Sequence, residues 1–272
     1  MNGNGDAIKS LRIRFQESLS TRDLGQTTRW LTQYPSTNTE ARAWADEGAP
    51  HGALVFADHQ TAGKGRHDRT WSSAPGLNLT VSLVLRPEIG PSQFGLITLA
   101  ACLAVCQTIQ STCTAVSSRI KWPNDIRIDG KKCCGMLLES AIGKDPGESF
   151  VILGIGLNVN QTEFPDLIQN SATSIMLECG RPVDRSHLLS GLLGDLETML
   201  SILEKNPEAI VTQYREKLEG VGKAMILTDV HTNQSYEGIL RGVDLTGALQ
   251  MEIGSTIHSF HAGDVKLQIE GL

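Results

Sequence analysis

Residues 61–71 read TAGKGRHDRTW. Gly63 and Gly65 lack Cβ atoms, so backbone N–H groups there can come close to a ligand. Lys64, Arg66 and Arg69 add full positive charges, and a guanidinium can grip two phosphate oxygens at once. The segment suits a bound anion; it would also serve as a solvated basic hairpin loop. It is not a Walker A loop. That pattern needs glycine five residues before Gly63, where the chain has Asp58, and Ser or Thr after Lys64, where it has Gly65.

Three further segments carry groups that could act on an anion. In Lys121-Trp122-Pro123-Asn124-Asp125 a cation leads and a carboxylate closes, and Pro123 biases Trp122 to extended geometry. This segment could equally be a turn beside a core tryptophan. In Lys131-Lys132-Cys133-Cys134-Gly135-Met136-Leu137-Leu138-Glu139 the lysines flank a turn, and Gly135 inside a strand marks a close approach by a ligand or another backbone. In Gly154-Ile155-Gly156-Leu157-Asn158-Val159-Asn160 two glycines leave an apolar strand flat, with Asn158 just beyond them.

The elements that must position these groups follow from pattern. Ser36 to about Glu47 predicts a helix, with Thr37 and Glu40 at capping-box spacing and Gly48-Ala49-Pro50 as its stop. Leu54–Ala57 predicts a short strand leading into the basic loop. Residues 77–85 alternate Leu77, Leu79, Val81, Leu83, Leu85 with Asn78, Thr80, Ser82, which predicts a half-buried strand. An apolar helix is expected over 94–111. Strands are expected at Arg119–Trp122, Asp125–Ile128 and Cys133–Glu139, with Asp129-Gly130 turning the last two. Phe150–Val159 predicts a central strand buried on both faces. Helices are expected at 186–204 and 207–218, the second with Pro207 in its first turn. From Lys223 onward short strands are expected, with Gly238, Gly242, Gly247, Gly254 and Gly263 between them. The organisation expected is a tail or arm over 1–22, polar at first and then weakly helical, a large domain over 23–220 and a small all-β module over 221–272.

Composition narrows the class. The chain has 272 residues, 40% hydrophobic and 20% charged, with net charge −6 and a pI near 5.7. An acidic chain with one basic loop argues against general nucleic-acid binding and for a small anionic ligand. The N-terminus has no signal-peptide core, and the apolar stretch Gly95–Ile109 is too short to span a bilayer. The six cysteines form no CxxC pair, which fits buried free thiols in a reducing cytosol, and a cytoplasmic location is expected.

Taken in order, TAGKGRHDRTW, KWPND, KKCCGMLLES and GIGLNVN resemble the biotin–protein ligases. Ser36-Thr37-Asn38 and Gln60 fit the same pattern upstream, and GILRGVDLTGALQMEI at 238–253 looks like the family's C-terminal SH3-like barrel. The resemblance implies an α+β fold, with a mixed central sheet flanked by helices, like the class II synthetases, followed by that barrel. It implies an enzyme that joins biotin to ATP as biotinyl-5′-AMP, with Mg²⁺, and passes biotin to one lysine of a biotin carboxyl carrier domain of a carboxylase.

Residue by residue, the resemblance assigns Lys132 as the catalytic lysine and Arg66 as the loop arginine on biotin and phosphate. Arg69 becomes a second phosphate contact. Lys121, Asn124 and Asp125 serve the triphosphate and its Mg²⁺. Ser36, Thr37, Asn38 and Gln60 hold the ureido ring, with Gly63, Lys64 and Gly65 of the loop also against biotin. Gly135, Leu137 and Gly154 wall the valeryl tail; Trp71 and Asn158 lie at the adenine. The empty loop should be mobile and fold over the bound adenylate. Three departures stand out: Lys64 where the family has arginine, His67-Asp68 for a more basic, glycine-containing pair, and Cys133-Cys134 for small apolar residues.

A regulator of this family would need about 60 more residues for a DNA-binding domain, so a monofunctional form without DNA binding is expected, as monomer or homodimer. Lipoate ligases and octanoyltransferases, the alternative, share the fold but not the KWPND and GKGR words together.

Overall fold

A computed structural model describes residues 3–143, 149–229, 232–261 and 264–267. Its centre is a seven-stranded sheet in the order β1-β2-β3-β7-β6-β5-β4, made of β1 (Thr28–Tyr34), β2 (Ala53–Gln60), β3 (Leu79–Leu85), β4 (Ser118–Lys121), β5 (Asp125–Ile128), β6 (Lys131–Ala141) and β7 (Phe150–Leu157). Only β1 and β2 run parallel; every other neighbouring pair is antiparallel. The helices are α1 (Gly3–Ser18), α2 (Thr37–Asp46), α3 (Gly95–Thr112), α4 (Ile175–Cys179), α5 (Arg185–Lys205) and α6 (Pro207–Lys217).

Alternation along the strands sends side chains to two different cores. Leu54, Phe56, Val81, Leu83, Leu153 and Ile155 meet the helices of one face. Ala53, Val55, Val84, Phe150 and Ile152 meet the alanine stripe Ala41-Ala45-Ala49 of α2 and its exit on the other. Helix α3 is apolar nearly all round because it is buried nearly all round, with the sheet beneath it and α5 and α6 beside it.

Beyond α6, β8 (Ala224–Thr228), β9 (Ser235–Val243), β10 (Leu249–Ile253), β11 (Thr256–Phe260) and β12 (Asp264–Leu267) form a five-stranded antiparallel sheet in the order β11-β10-β9-β8-β12. This is the α+β architecture with a small barrel-like module that the sequence implied. Gly247 and Gly254 take left-handed turns as expected. Gly238 and Gly242 instead lie inside β9: a Cβ at Gly238 would meet Glu252 O at 2.5 Å. Gly263 lies outside the described residues.

Several elements differ from expectation. Residues 1–22, expected as a tail or arm, contain α1, whose Leu11 and Phe15 are buried. Its polar composition masked a narrow apolar stripe that packs on α5 and β1. Strand β1 was missed because its side chains are only half-buried at a sheet edge. Strand β3 is buried on both faces, not one. The capping box does not form: Ser36 is the N-cap, makes no side-chain cap bond, and Glu40 pairs with Arg29 at 2.8 Å.

Candidate functional site: a cation-lined cleft on a glycine floor

The strand register builds the floor. One row across the sheet reads Thr80, Gly156, Gly135, Asp125, Lys121 on β3, β7, β6, β5 and β4. The next reads Ser82, Gly154, Leu137. These rows share the α2 face of the sheet, where Val84 and Ile152 continue it. Each glycine makes room for a side chain laid on the sheet. A Cβ at Gly156 would lie 2.4 Å from Trp71 Cε2; one at Gly135 would lie 2.9 Å from Lys132 Cε and 3.1 Å from Trp71 Cζ3; one at Gly154 would lie 2.1 Å from Asn38 Oδ1. At Gly156 and Gly154 a Cβ would force Trp71 or Asn38 out of place, whereas at Gly135 the flexible end of Lys132 and the ring edge would have to give only slightly.

Over the floor hangs the basic loop. It is a tight hairpin, with Lys64 bridged to Thr70, Gly65 N donating to Arg69 O at 2.6 Å and Trp71 N to Gly63 O at 2.9 Å. His67 and Asp68, at its tip, have φ of 53° and 57°, the left-handed region that glycine enters freely.

Lys132 is held by its backbone on both sides. It pairs with Arg127 of β5, donates its N–H to Ser171 O at 2.7 Å and accepts from Thr173 N at 2.9 Å. Its Nζ lies 2.6 Å from Asp125 Oδ1 and 5.6 Å from the centre of the Trp71 ring. The Trp122-Pro123-Asn124 turn between β4 and β5, with a cis Trp122-Pro123 bond, is pinned from three directions. Trp122 Nε1 donates to Gly247 O at 3.0 Å, Tyr214 Oη to Pro123 O at 3.1 Å, and Asn124 Nδ2 to Met136 O at 2.5 Å. Arg66 Nη1 reaches Asn124 Oδ1 at 3.5 Å.

The polar end lies at the start of α2. Gln60 Oε1 accepts from Thr37 N at 2.7 Å and Thr37 Oγ1 at 3.1 Å. Ser82 Oγ stands 2.7 Å from Thr37 Oγ1 and 2.6 Å from Asn38 Oδ1. Asn38 Nδ2 donates to Glu139 Oε2 at 2.6 Å. Ser36 makes no side-chain cap bond, so its hydroxyl stays available at the cleft, while the first-turn N–H of Thr37 is taken by Gln60.

Of the residues singled out from sequence, one cleft gathers Ser36, Thr37, Asn38, Gln60, Lys64, Gly65, Arg66, Arg69, Trp71, Lys121, Asn124, Asp125, Lys132, Gly135, Leu137 and Gly154. Gly63 and Asn158 are not on its wall. Asn158 is buried beside it, with Nδ2 on Thr173 O at 3.0 Å and Oδ1 without a hydrogen-bond partner among the described residues. Sequence reasoning gave no site role to Ser82 or Glu139, and read Gly156 only as flattening its strand. The signal for Ser82 was present, since a serine in an otherwise apolar strand has to face something polar. The cleft wall carries five cations (Lys64, Arg66, Arg69, Lys121, Lys132) against one carboxylate, Asp125, in a chain of net charge −6. Cys133 and Cys134 are both fully buried, and burial pushes both thiols well above their ordinary pKa. Both pack in the larger of the two cores, where the β5–β6 ladder skips Cys133 at a register shift.

Fold and cleft together define an enzyme-like site with an anion-gathering half and a small polar half on one sheet face. A model of the biotin/lipoate A/B protein ligase family matches residues 30–158, a span that contains every cleft residue named above. A bifunctional ligase/repressor of Bacillus subtilis is 35% identical over 270 residues, covering 96% of this chain and 79% of that protein. A biotin–[acetyl-CoA-carboxylase] ligase of Mycobacterium tuberculosis is 34% identical over 241 residues, 86% of each chain. A solved biotin protein ligase from Aquifex aeolicus, in complex with biotin and ATP, superposes with a TM-score of 0.76 at 26% identity, covering 89% of this chain and 99% of that one. The chain therefore belongs to the biotin/lipoate A/B protein ligase family, among its biotin–protein ligases.

Proposed function

We propose that this protein activates biotin with ATP as biotinyl-5′-AMP and transfers biotin to a lysine of a biotin carboxyl carrier domain. The observation that carries the reading is Lys132, held beside Asp125 on a glycine floor, between the basic hairpin and the polar start of α2. Residues 23–220 form the catalytic unit in this reading and 221–272 an appended module; the setting is cytoplasmic.

In the first half-reaction a biotin carboxylate oxygen bonds to the α-phosphorus of ATP, and the bond to pyrophosphate breaks. Two anions must meet, so cations in a sheltered site remove most of the repulsion. Lys132 turns from Asp125 to the carboxylate and α-phosphate, and Arg66 and Arg69 close over them from the hairpin. Thr37, Asn38, Gln60 and the Ser36 hydroxyl take the ureido ring, which presents one acceptor and two donors to short polar partners. Leu137 and the glycines of the floor flank the valeryl chain. Asn158 Oδ1, a buried acceptor with no donor among the described residues, lies off the cleft wall and would meet the amino group of adenine only once uncovered, and Trp71 offers the base a face to pack on.

Mg²⁺ supplies charge neutralisation on the triphosphate. Asp125 is a hard oxygen donor suited to it, and no cluster of three metal-ligating side chains exists among the described residues. The ion would therefore be held chiefly by phosphate oxygens. In the second half-reaction the carrier lysine attacks the acyl carbon as a neutral amine, and AMP leaves.

The reading is tested by incubating the protein with a carrier domain, ATP and either biotin or lipoate, then weighing the carrier. A biotin-sized mass gain on one lysine supports it. Gain with lipoate, or with neither, overturns it.

A further inference from the structure

We infer that Glu139 and Ser82 are positioning residues that fix which way the Asn38 amide faces, and so set the hydrogen-bond polarity of the ureido end of the pocket. The inference rests on the biotin reading of that pocket and adds two residues to it.

An asparagine amide has an acceptor end and a donor end of nearly the same shape. Left alone at a ligand it can present either. Here the choice is forced. Glu139 Oε2 lies 2.6 Å from Asn38 Nδ2, and an ionised carboxylate only accepts, so it takes the NH₂ end. Ser82 Oγ lies 2.6 Å from Asn38 Oδ1 and 2.7 Å from Thr37 Oγ1; toward Asn38 Oδ1, an acceptor, it can act only as donor, so it serves the oxygen end. Gly154 makes the arrangement possible. It stands between Ser82 and Leu137 in its row, and Asn38 Oδ1 fills the volume its missing side chain would occupy.

Register explains why these two residues meet the helix. Glu139 pairs with Ile152, which pairs with Val84, one row beyond Ser82. Asn38, in the first turn of α2, drops into the gap between them and is 4% exposed. Glu139 uses one of the two Nδ2 hydrogens. The other is the donor left for a ligand, and a urea carbonyl is its complement. Without Glu139 the amide could rotate and present oxygen to oxygen, which costs the hydrogen bond and adds repulsion.

The test compares Glu139→Ala, Glu139→Gln and Ser82→Ala with the unmodified protein. Biotin binding is titrated calorimetrically without ATP, and steady-state constants are measured for both substrates. Glu139→Ala should weaken biotin binding roughly tenfold and raise its KM in parallel. ATP KM and kcat at saturating biotin should stay within about twofold. Glu139→Gln keeps an amide oxygen for Asn38 and should recover most of the affinity. Ser82→Ala should weaken biotin less than Glu139→Ala, because a neutral partner is lost rather than a charged one.

The inference fails if Glu139→Ala binds biotin like the unmodified protein, or if it loses kcat and ATP affinity along with biotin. It also fails if Glu139→Gln is as weak as Glu139→Ala. If the alanine variant does not fold, the near-isosteric glutamine and serine variants still decide it. Failure of the unmodified protein to bind biotin overturns the pocket reading itself. That result is distinct from biotin binding that is indifferent to Glu139.

Discussion

Lys132 is where charge, backbone restraint and access to the cleft coincide. Its ammonium is parked on Asp125 at 2.6 Å, while its backbone is clamped by Ser171 and Thr173, so only the side chain has to move to reach an anion. Lys132→Ala should lower adenylate formation roughly 100- to 1000-fold, the scale of losing one well-placed electrostatic contact. Its circular dichroism and melting should stay close to those of the unmodified protein, since the side chain is 37% exposed. Arg66 should behave differently. It reaches from the hairpin to Asn124, where it can close over a bound product. Arg66→Gly should still make biotinyl-AMP but release it roughly 10- to 100-fold faster, seen as biotin labels on unrelated proteins added to the assay. Retention of adenylate at the unmodified rate would contradict that role.

At the scale of elements, the sheet register decides which residues share the cleft, and that was only partly legible beforehand. The strands from β5 to β7 and helices α3, α5 and α6 follow directly from periodicity, caps and breakers. The glycine words in KKCCGMLLES and GIGLNVN signalled close approach, but not that Gly135 and Gly156 sit opposite each other beneath one tryptophan. The polarity of Ser82 showed that it faces something polar, but neither it nor Glu139 pointed to Asn38, because that meeting depends on pairing across strands far apart in sequence. Strand β1 gave no expectation, and α1 only a weakly helical one read as part of a tail, for a simpler reason: half-buried edges and thin apolar stripes give weak patterns. Gly154→Ala should displace Asn38 and weaken biotin at least about tenfold, with an overpacking cost of roughly 1–3 kcal/mol in stability. Binding and melting measured on the same preparation check it.

The link between α1 and β1 is tied down by Glu197 of α5, which accepts from the N–H groups of Arg22, Asp23 and Leu24 at 2.8, 2.8 and 3.0 Å. Partial burial opposes ionisation of Glu197, but these backbone donors outweigh it and hold its pKa below the ordinary value. A carboxyl depressed in the folded state stabilises fully above its unfolded pKa, about 4.3. The contribution is lost as pH falls through the lower, folded value. Glu197→Gln should therefore cost roughly 2 kcal/mol near neutrality. Denaturant titrations of the two proteins should converge as the pH drops below 4.3. A gap unchanged at low pH would assign the loss to packing.

Across the whole molecule, the small module shares the larger core and reaches the site at two places. Trp122 Nε1 bonds Gly247 O, and a Cβ on Gly95 would meet Thr246 O at 2.7 Å. Both touch the first turn of α3 or the turn that carries Asn124 and Asp125, so moving the module should move the phosphate end of the cleft. Gly95→Ala should push the module away and raise ATP KM a few-fold, with biotin affinity in the absence of ATP unchanged, because the ureido end hangs from α2 on the far rows of the sheet. Equal loss for both substrates would point to general unfolding.

The central claim is that this cleft joins biotin to the α-phosphate of ATP through Lys132. Pyrophosphate release by the purified protein, followed with biotin, lipoate, octanoate or no added acid, tests it most directly. Release that requires ATP and biotin together, and nearly vanishes in Lys132→Ala, is the predicted result. Release independent of biotin, equal release with lipoate or octanoate, or an unimpaired Lys132→Ala would contradict it.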